Sequence, residues 1–169
     1  GSFCNWAVNT NRLPSNPLAS LALRNTEVDI RKKRRTLSPD EFSRLLESAR
    51  TSEVEIQCYD GETRARIYLL SYLTGLRRAE IASLTPVSFD LEADPATLTI
   101  EAQNSKHRRK DILPLHPDLV RVLPGWLEGI PADQPLFPRL AKRRTWLMIK
   151  KDLERAGIPY ETDEGTADF

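Results

Sequence analysis

Apolar residues recur along this chain with a helical period in most places and a strand period in one. Phe42, Leu45, Leu46 and Ala49 fall three and four apart, the spacing that lines one face of an α-helix. Ahead of them, Ser38-Pro39-Asp40-Glu41 offers a hydroxyl N-cap, a proline for the first helical position and a glutamate to close a capping box. The pattern predicts a helix over about 39–50. Asp60-Gly61 opens the next one, in which Ala65, Ile67, Tyr68, Leu69, Leu70, Tyr72 and Leu73 run too continuously for a surface helix, so burial is expected. Thr74-Gly75 breaks it, a short helix follows over Arg77–Leu84 with Ile81 and Leu84 inward, and Pro86 ends that. Thr97-Leu98-Thr99-Ile100 alternates as a strand does, and Ile112-Leu113-Pro114-Leu115 reads as its partner across a polar turn at Gln103–Lys110. Helices over about 117–128 and 139–156 close the chain, with Trp126, Phe137, Trp146 and Cys58 expected in the core. The fold class read from this pattern is mainly α with a small antiparallel β-sheet.

The first residues differ in character. Phe3, Trp6, Ala7 and Val8 form the end of an amphipathic helix, which Pro14 and Pro17 terminate, and polar residues follow up to the basic run Arg31–Arg35. The expected organisation is the tail of one domain over 1–18, a basic linker over 19–36 and a main domain over 37–169. Gly1-Ser2 looks like the remnant of a cleaved tag.

Composition narrows the function classes. With 40% hydrophobic and 29% charged residues in 169, the chain has the make-up of a globular domain, and no apolar stretch approaches the roughly 20 residues a bilayer requires. No membrane partner and a cytoplasmic or nucleoid location are expected. Cys4 and Cys58 fit neither a disulfide framework nor a clustered metal site; no metal or cofactor is expected. The net charge is only +1, yet 15 of the 25 Lys and Arg fall in three runs, Arg31–Arg35, Lys106–Lys110 and Arg139–Lys151. Segregated charge of this kind can give a basic face to a nearly neutral protein.

The segment with chemistry in it is Thr74-Gly75-Leu76-Arg77-Arg78-Ala79-Glu80-Ile81-Ala82-Ser83-Leu84. A buried helix ends at a glycine and the next begins with an arginine, so Arg77 is held at a helix start with little freedom. A guanidinium is permanently charged and can grip two phosphate oxygens together, and a helix N-terminus offers free N–H groups to an anion. Glu80, one turn on, can brace Arg77 from behind.

This run, Thr-Gly-Leu-Arg-x-x-Glu-Ile-x-x-Leu, resembles the first signature box of the tyrosine recombinases and phage integrases. The resemblance implies a recombinase catalytic-domain fold and gives Arg77 the role of a catalytic residue on the scissile phosphate. The family's next feature is a hairpin carrying a catalytic lysine shortly before a Pro-Leu. Lys106, eight residues ahead of Pro114-Leu115, takes that place as general acid, and Lys110 is the alternative because the hairpin register is open. Arg31, Lys32, Lys33, Arg34 and Arg35 then match the segment that crosses DNA between two domains, with Arg78 and Lys110 as further DNA contacts. Phe3–Leu18, with Asn16-Pro17-Leu18, resembles the end of the family's core-binding domain.

A complete family member continues with a His-x-x-Arg box and ends on a nucleophilic tyrosine. Three residues beyond His107 and His116 stand Lys110 and Leu119, and Tyr59, Tyr68, Tyr72 and Tyr160 all lie upstream of where that box belongs. The resemblance therefore implies the front part of a catalytic domain, inactive as a fragment. Its parent would break and rejoin double-stranded DNA through a 3′-phosphotyrosyl link, as a homo-oligomer, a tetramer in the family. Two other readings remain open on the sequence: a DNA-binding module without catalysis, and a helical protein-interaction domain whose basic runs are merely solvated.

Overall fold

The computed structural model describes residues 2–21 and 33–167, which fall into two units, one reaching Lys33 and one from Arg34 onward. In the first unit α1 spans Ser2–Asn9. The chain then turns back, the Arg12 N–H bonding the Ala7 carbonyl at 2.8 Å, and the Arg12 guanidinium stacks 4.7 Å above the Trp6 ring. Trp6 and Phe3 remain exposed. The basic run begins beyond this: Arg31 and Lys32 lie outside the described residues, and Lys33 is exposed.

The second unit opens on α2, Pro39–Arg50, whose start is the capping box the sequence predicts. The Glu41 N–H bonds the Ser38 hydroxyl, and the Glu41 carboxylate returns to the Ser38 N–H. Helix α3, Gly61–Thr74, follows with Asp60 as its cap. Gly61 lies so close to α2 that any Cβ there would collide with the Ala49 carbonyl oxygen, which is why the junction takes a glycine. Helix α6, Thr145–Arg155, completes a three-helix core in which Leu45, Leu70, Met148 and Leu153 are fully buried. Each such side chain contributes roughly 1.5–3 kcal/mol relative to exposure.

A charged group sits inside this core. Arg64 of α3, 0% exposed, donates to both Asp152 oxygens of α6 at 2.8 and 3.0 Å. Its Nη1 donates to the Val54 and Tyr59 carbonyls, and the Tyr68 hydroxyl donates to Asp152 at 2.8 Å. Burial, with the Asp152 charge beside it, drives the Tyr68 hydroxyl far above its ordinary pKa.

Between α3 and α6 come the short helix α4, Arg78–Ile81, and an antiparallel sheet of order β1-β2-β3: Phe89–Asp90, Thr97–Ile100 and Asp111–Pro114. Pairing of Ile100 with Asp111 leaves residues 101–110 as the hairpin loop. Helix α5 spans Pro117–Leu127. The hairpin β4–β5, Glu161–Thr162 with Gly165–Thr166, ends the described chain.

The fold class is as the sequence predicts, mostly helical with one small antiparallel sheet, and the departures are local. The helix expected over 139–156 is a 3₁₀ turn, Leu140–Lys142, then α6 from Thr145; Arg139, just ahead of the turn, has a left-handed backbone, φ 70°. Tyr72 is half-exposed rather than buried, stacked on Phe42 at 4.0 Å. Cys58 is exposed, because its backbone adopts φ 69° in a tight turn that sends Tyr59 inward instead. Trp146 lies on the outward face of α6, whereas Trp126 and Phe137 are core residues as expected.

Candidate nucleic-acid interface

Helix α3 ends because Gly75 turns left-handed, φ 65°, its N–H closing on the Ser71 carbonyl at 2.9 Å. Thr74 bonds back to the Leu70 carbonyl through its hydroxyl, which also accepts from the Leu76 N–H. The Thr-Gly-Leu sequence is thus a helix stop that delivers the next residue, Arg77, in extended conformation immediately before α4. No anion site forms at the α4 terminus itself: the helix has four residues, and the Arg77 N–H in front of it is taken by Glu80 Oε2 at 2.8 Å.

Glu80 is 6% exposed and joins two elements. Its Oε1 accepts from Arg77 Nη1 at 3.4 Å and from the backbone N–H of Lys106 at 3.5 Å. The hairpin loop reaches this carboxylate because Ser105, 6% exposed, is tied to Asp111 by a 2.8 Å hydroxyl bond and accepts from the His107 N–H. The two positions singled out in the sequence therefore meet at one buried carboxylate, with the Arg77 side chain still 55% exposed. Lys106 is exposed on the loop, while Lys110 pairs with Glu101 across its base at 3.5 Å. Ser105 carried no signal in the sequence beyond a hydroxyl in a polar turn.

Arg77 faces a cleft of ≈520 Å³. Its floor is apolar, from Ile67, Leu76, Ile81 and Leu140, and its charged lining is Arg34, Arg77 and Arg78 with no carboxylate. Arg78 also donates to the Arg143 carbonyl at 2.8 Å, fixing α4 against the Arg139–Arg144 segment, a basic stretch the sequence reading left out of its site residues. The neighbours Arg34 and Arg35 have separate fates. Arg34 is exposed on the cleft. Arg35 turns inward, its side chain 6% exposed, bonding both Glu41 oxygens at 3.1 Å and the Pro159 carbonyl at 2.6 Å. Arg35 thus stands apart from the exposed cations of the run it was grouped with, because the capping glutamate of α2 offers a charge partner that solvent does not. The Ser38 N–H and the Arg35 guanidinium together hold the Glu41 carboxyl below its ordinary pKa of 4.5.

Among the described residues no group of His, Cys, Asp and Glu could hold a metal ion, and no helix is long and apolar enough to cross a membrane. No family model matches the sequence, and no curated protein matches it. Solved structures do. An integrase from mycobacterium phage Brujita is similar over 94% of this chain and 49% of its own, at 21% identity and TM-score 0.51. The XerA recombinase is similar over 93% of this chain and 52% of its own, at 19% identity and TM-score 0.54. The chain spans about half the length of these two structures, and the fold it shares with them is tyrosine-recombinase-like.

Proposed function

We propose that this chain is the front part of a tyrosine-recombinase catalytic domain, preceded by the end of a core-binding domain over 1–18 and a basic linker over 19–36. It would supply the phosphate-gripping half of a site that breaks and rejoins double-stranded DNA. The observation that carries this is Glu80, a single buried carboxylate bonded to both Arg77 and the Lys106 backbone, on a fold similar to an integrase and a recombinase. Phosphoryl transfer is catalysed largely by positioning and charge neutralisation, and those are the roles a braced guanidinium and a hairpin ammonium can fill.

Arg77 Nη2 and Nε, which Glu80 does not engage, would take the non-bridging oxygens of the scissile phosphate. Lys106 would protonate the departing 5′-oxygen. Lys106 is preferred to Lys110 because its backbone is the one fastened beside Arg77, whereas Lys110 is paired with Glu101. Lys33, Arg34 and Arg78 would meet the DNA backbone, together with Arg31 and Lys32. The nucleophile would come from further along the parent chain, which would work as a homo-oligomer in the cytoplasm.

Two measurements test this. The coding sequence beyond Phe169 should hold a His-x-x-Arg box and, later, a tyrosine; a continuation lacking both removes the catalytic half of the proposal and leaves a DNA-binding module. The chain itself should bind duplex DNA with an affinity that falls linearly in log salt, and Arg77→Ala should weaken it. Absence of binding even at low salt removes the DNA-contacting half as well.

A further inference from the structure

Building on that reading, we infer that Arg34 and Arg77 act as one paired clamp for two neighbouring phosphates, and that Arg35 is the anchor that places Arg34 in the cleft. The sequence offers five adjacent cations at Arg31–Arg35 with nothing to distinguish them. The structure separates the last two. Backbone pairing holds this stretch on the β4–β5 hairpin, with Arg34 opposite Thr166 and the Arg35 N–H on the Thr166 carbonyl at 3.1 Å. On the other side the Arg35 guanidinium is clamped to Glu41 of α2 and to the Pro159 carbonyl. Arg34 is thus attached to a backbone fixed from two directions, and its side chain lines the same cleft as Arg77.

That cleft has three guanidinium groups and no acidic lining residue, in a protein whose net charge is +1. Like charges gathered beside an apolar floor repel one another, and the arrangement becomes favourable when an anion arrives. Glu80 does not remove the need, since it lies behind Arg77 and bonds its backbone and one terminal nitrogen. Arg78 gives one donor to the Arg143 carbonyl, which leaves Arg34 and Arg77 as the two better-placed forks. A pre-positioned arginine loses less side-chain freedom on binding than a linker cation does. The ligand chemistry is a pair of linked phosphates, found in a nucleic-acid backbone and in a free diphosphate.

The test is a titration of the full chain, followed through the arginine Nε–H signals in nitrogen-15 spectra, with inorganic pyrophosphate and then with a mixed-sequence DNA duplex. The Arg34 and Arg77 signals should follow a single curve with pyrophosphate while Arg35 stays still. Arg34→Ala should weaken the curve read at Arg77 by about tenfold, the size of one charge-assisted hydrogen bond. Arg34→Lys should fall between. With the duplex, Arg34→Ala should lower the slope of log affinity against log salt by about 0.9. An Arg77 curve indifferent to Arg34→Ala, with duplex binding still dependent on Arg77, overturns the clamp and leaves the proposed function standing. Pyrophosphate binding with no duplex binding supports a free-diphosphate clamp and overturns the nucleic-acid reading. Binding of neither overturns both.

Discussion

Two arginines of this chain stand thirteen positions apart, each paired with a carboxylate, and they do opposite work. Arg64 is fully buried, and its donors are divided among both Asp152 oxygens and two carbonyls. Arg77 is 55% exposed, and Glu80 takes one terminal nitrogen and the backbone N–H. The first arginine has four of its five N–H groups engaged, and with its side chain 0% exposed it is closed to any outside ligand. The second is oriented but unsaturated, which is the condition of a guanidinium waiting for an anion. An Arg–acid pair thus says little by itself; the number of donors left over says whether it holds the fold or serves a ligand.

The sharpest way to break this contrast is at Asp152. Asp152→Ala leaves the Arg64 charge buried without its partner, and loss of one member of such a pair costs about 3–5 kcal/mol. Thermal or urea unfolding should register it, and a loss below about 1 kcal/mol would show that the pair is not the core's keystone. Arg77→Ala is the counterpart: it removes one long, half-exposed pair with Glu80, so stability should fall by no more than about 1 kcal/mol, while duplex affinity drops.

Glu80 comes next in size, because it belongs partly to both worlds. Glu80→Ala removes the acceptor for two backbone N–H groups and should lower stability by about 1–2 kcal/mol, the range for losing a cap together with a buried bond. It should also release the Lys106 loop, so amide exchange at Lys106 should speed up while exchange in α3 stays slow. If the loop amides are unchanged, the carboxylate does not tie the hairpin to Arg77. Glu80→Gln, which keeps one acceptor oxygen, should fall between.

How much of this was legible in the sequence follows from how local each cause is. The α2 capping box, the glycine stop after Thr74 and the strand pair Thr97–Ile100 with Asp111–Pro114 depend on neighbours a few residues away, and their patterns predict them. The placement of Arg77 at a helix start was legible because the helix stop in front of it is local too. The placement of Arg35 depends on Glu41 and on Pro159, 124 residues distant, and a run of like cations gives no hint which member will turn inward. Cys58 was misplaced for a related reason: two consecutive left-handed residues, Gln57 and Cys58 at φ 56° and 69°, exchange which side chains face the core, and neither is a glycine that would mark the turn. The β4–β5 hairpin, two residues per strand, is too short to carry a period.

A gentler probe is acid. The Glu41 carboxyl is held below 4.5 by the Ser38 N–H and by Arg35, and the Asp60 carboxyl below 3.8 by the Thr63 N–H. A carboxyl whose folded pKa is depressed releases protons more readily folded than unfolded. Its contribution is complete above the ordinary carboxylate range and is lost as pH falls through the lowered folded value. Stability should therefore be level near neutrality and decline below about pH 4.5. Glu41→Gln should shallow that decline, and an unaltered acid limb would mean that the Glu41 carboxyl does not carry it.

The smallest effect expected is at Lys110, and it sharpens the contrast from the other end. Its pair with Glu101 joins two side chains that are 56% and 58% exposed, so solvent screens the attraction and ordering two long side chains offsets much of it. Exposed pairs of this kind contribute about 0–1 kcal/mol. Lys110→Ala should leave the unfolding midpoint almost unchanged, and raising the salt should erase what difference remains. Lys106→Ala should be equally silent in stability, since the bond to Glu80 comes from its backbone and survives the substitution. The two lysines should part only when DNA is present: freeing Glu101 by removing Lys110 adds an uncompensated negative charge near the duplex, whereas removing Lys106 takes away a cation beside Arg77. A larger loss of duplex affinity for Lys110→Ala than for Lys106→Ala would reverse the preference for Lys106 as the working lysine of the hairpin.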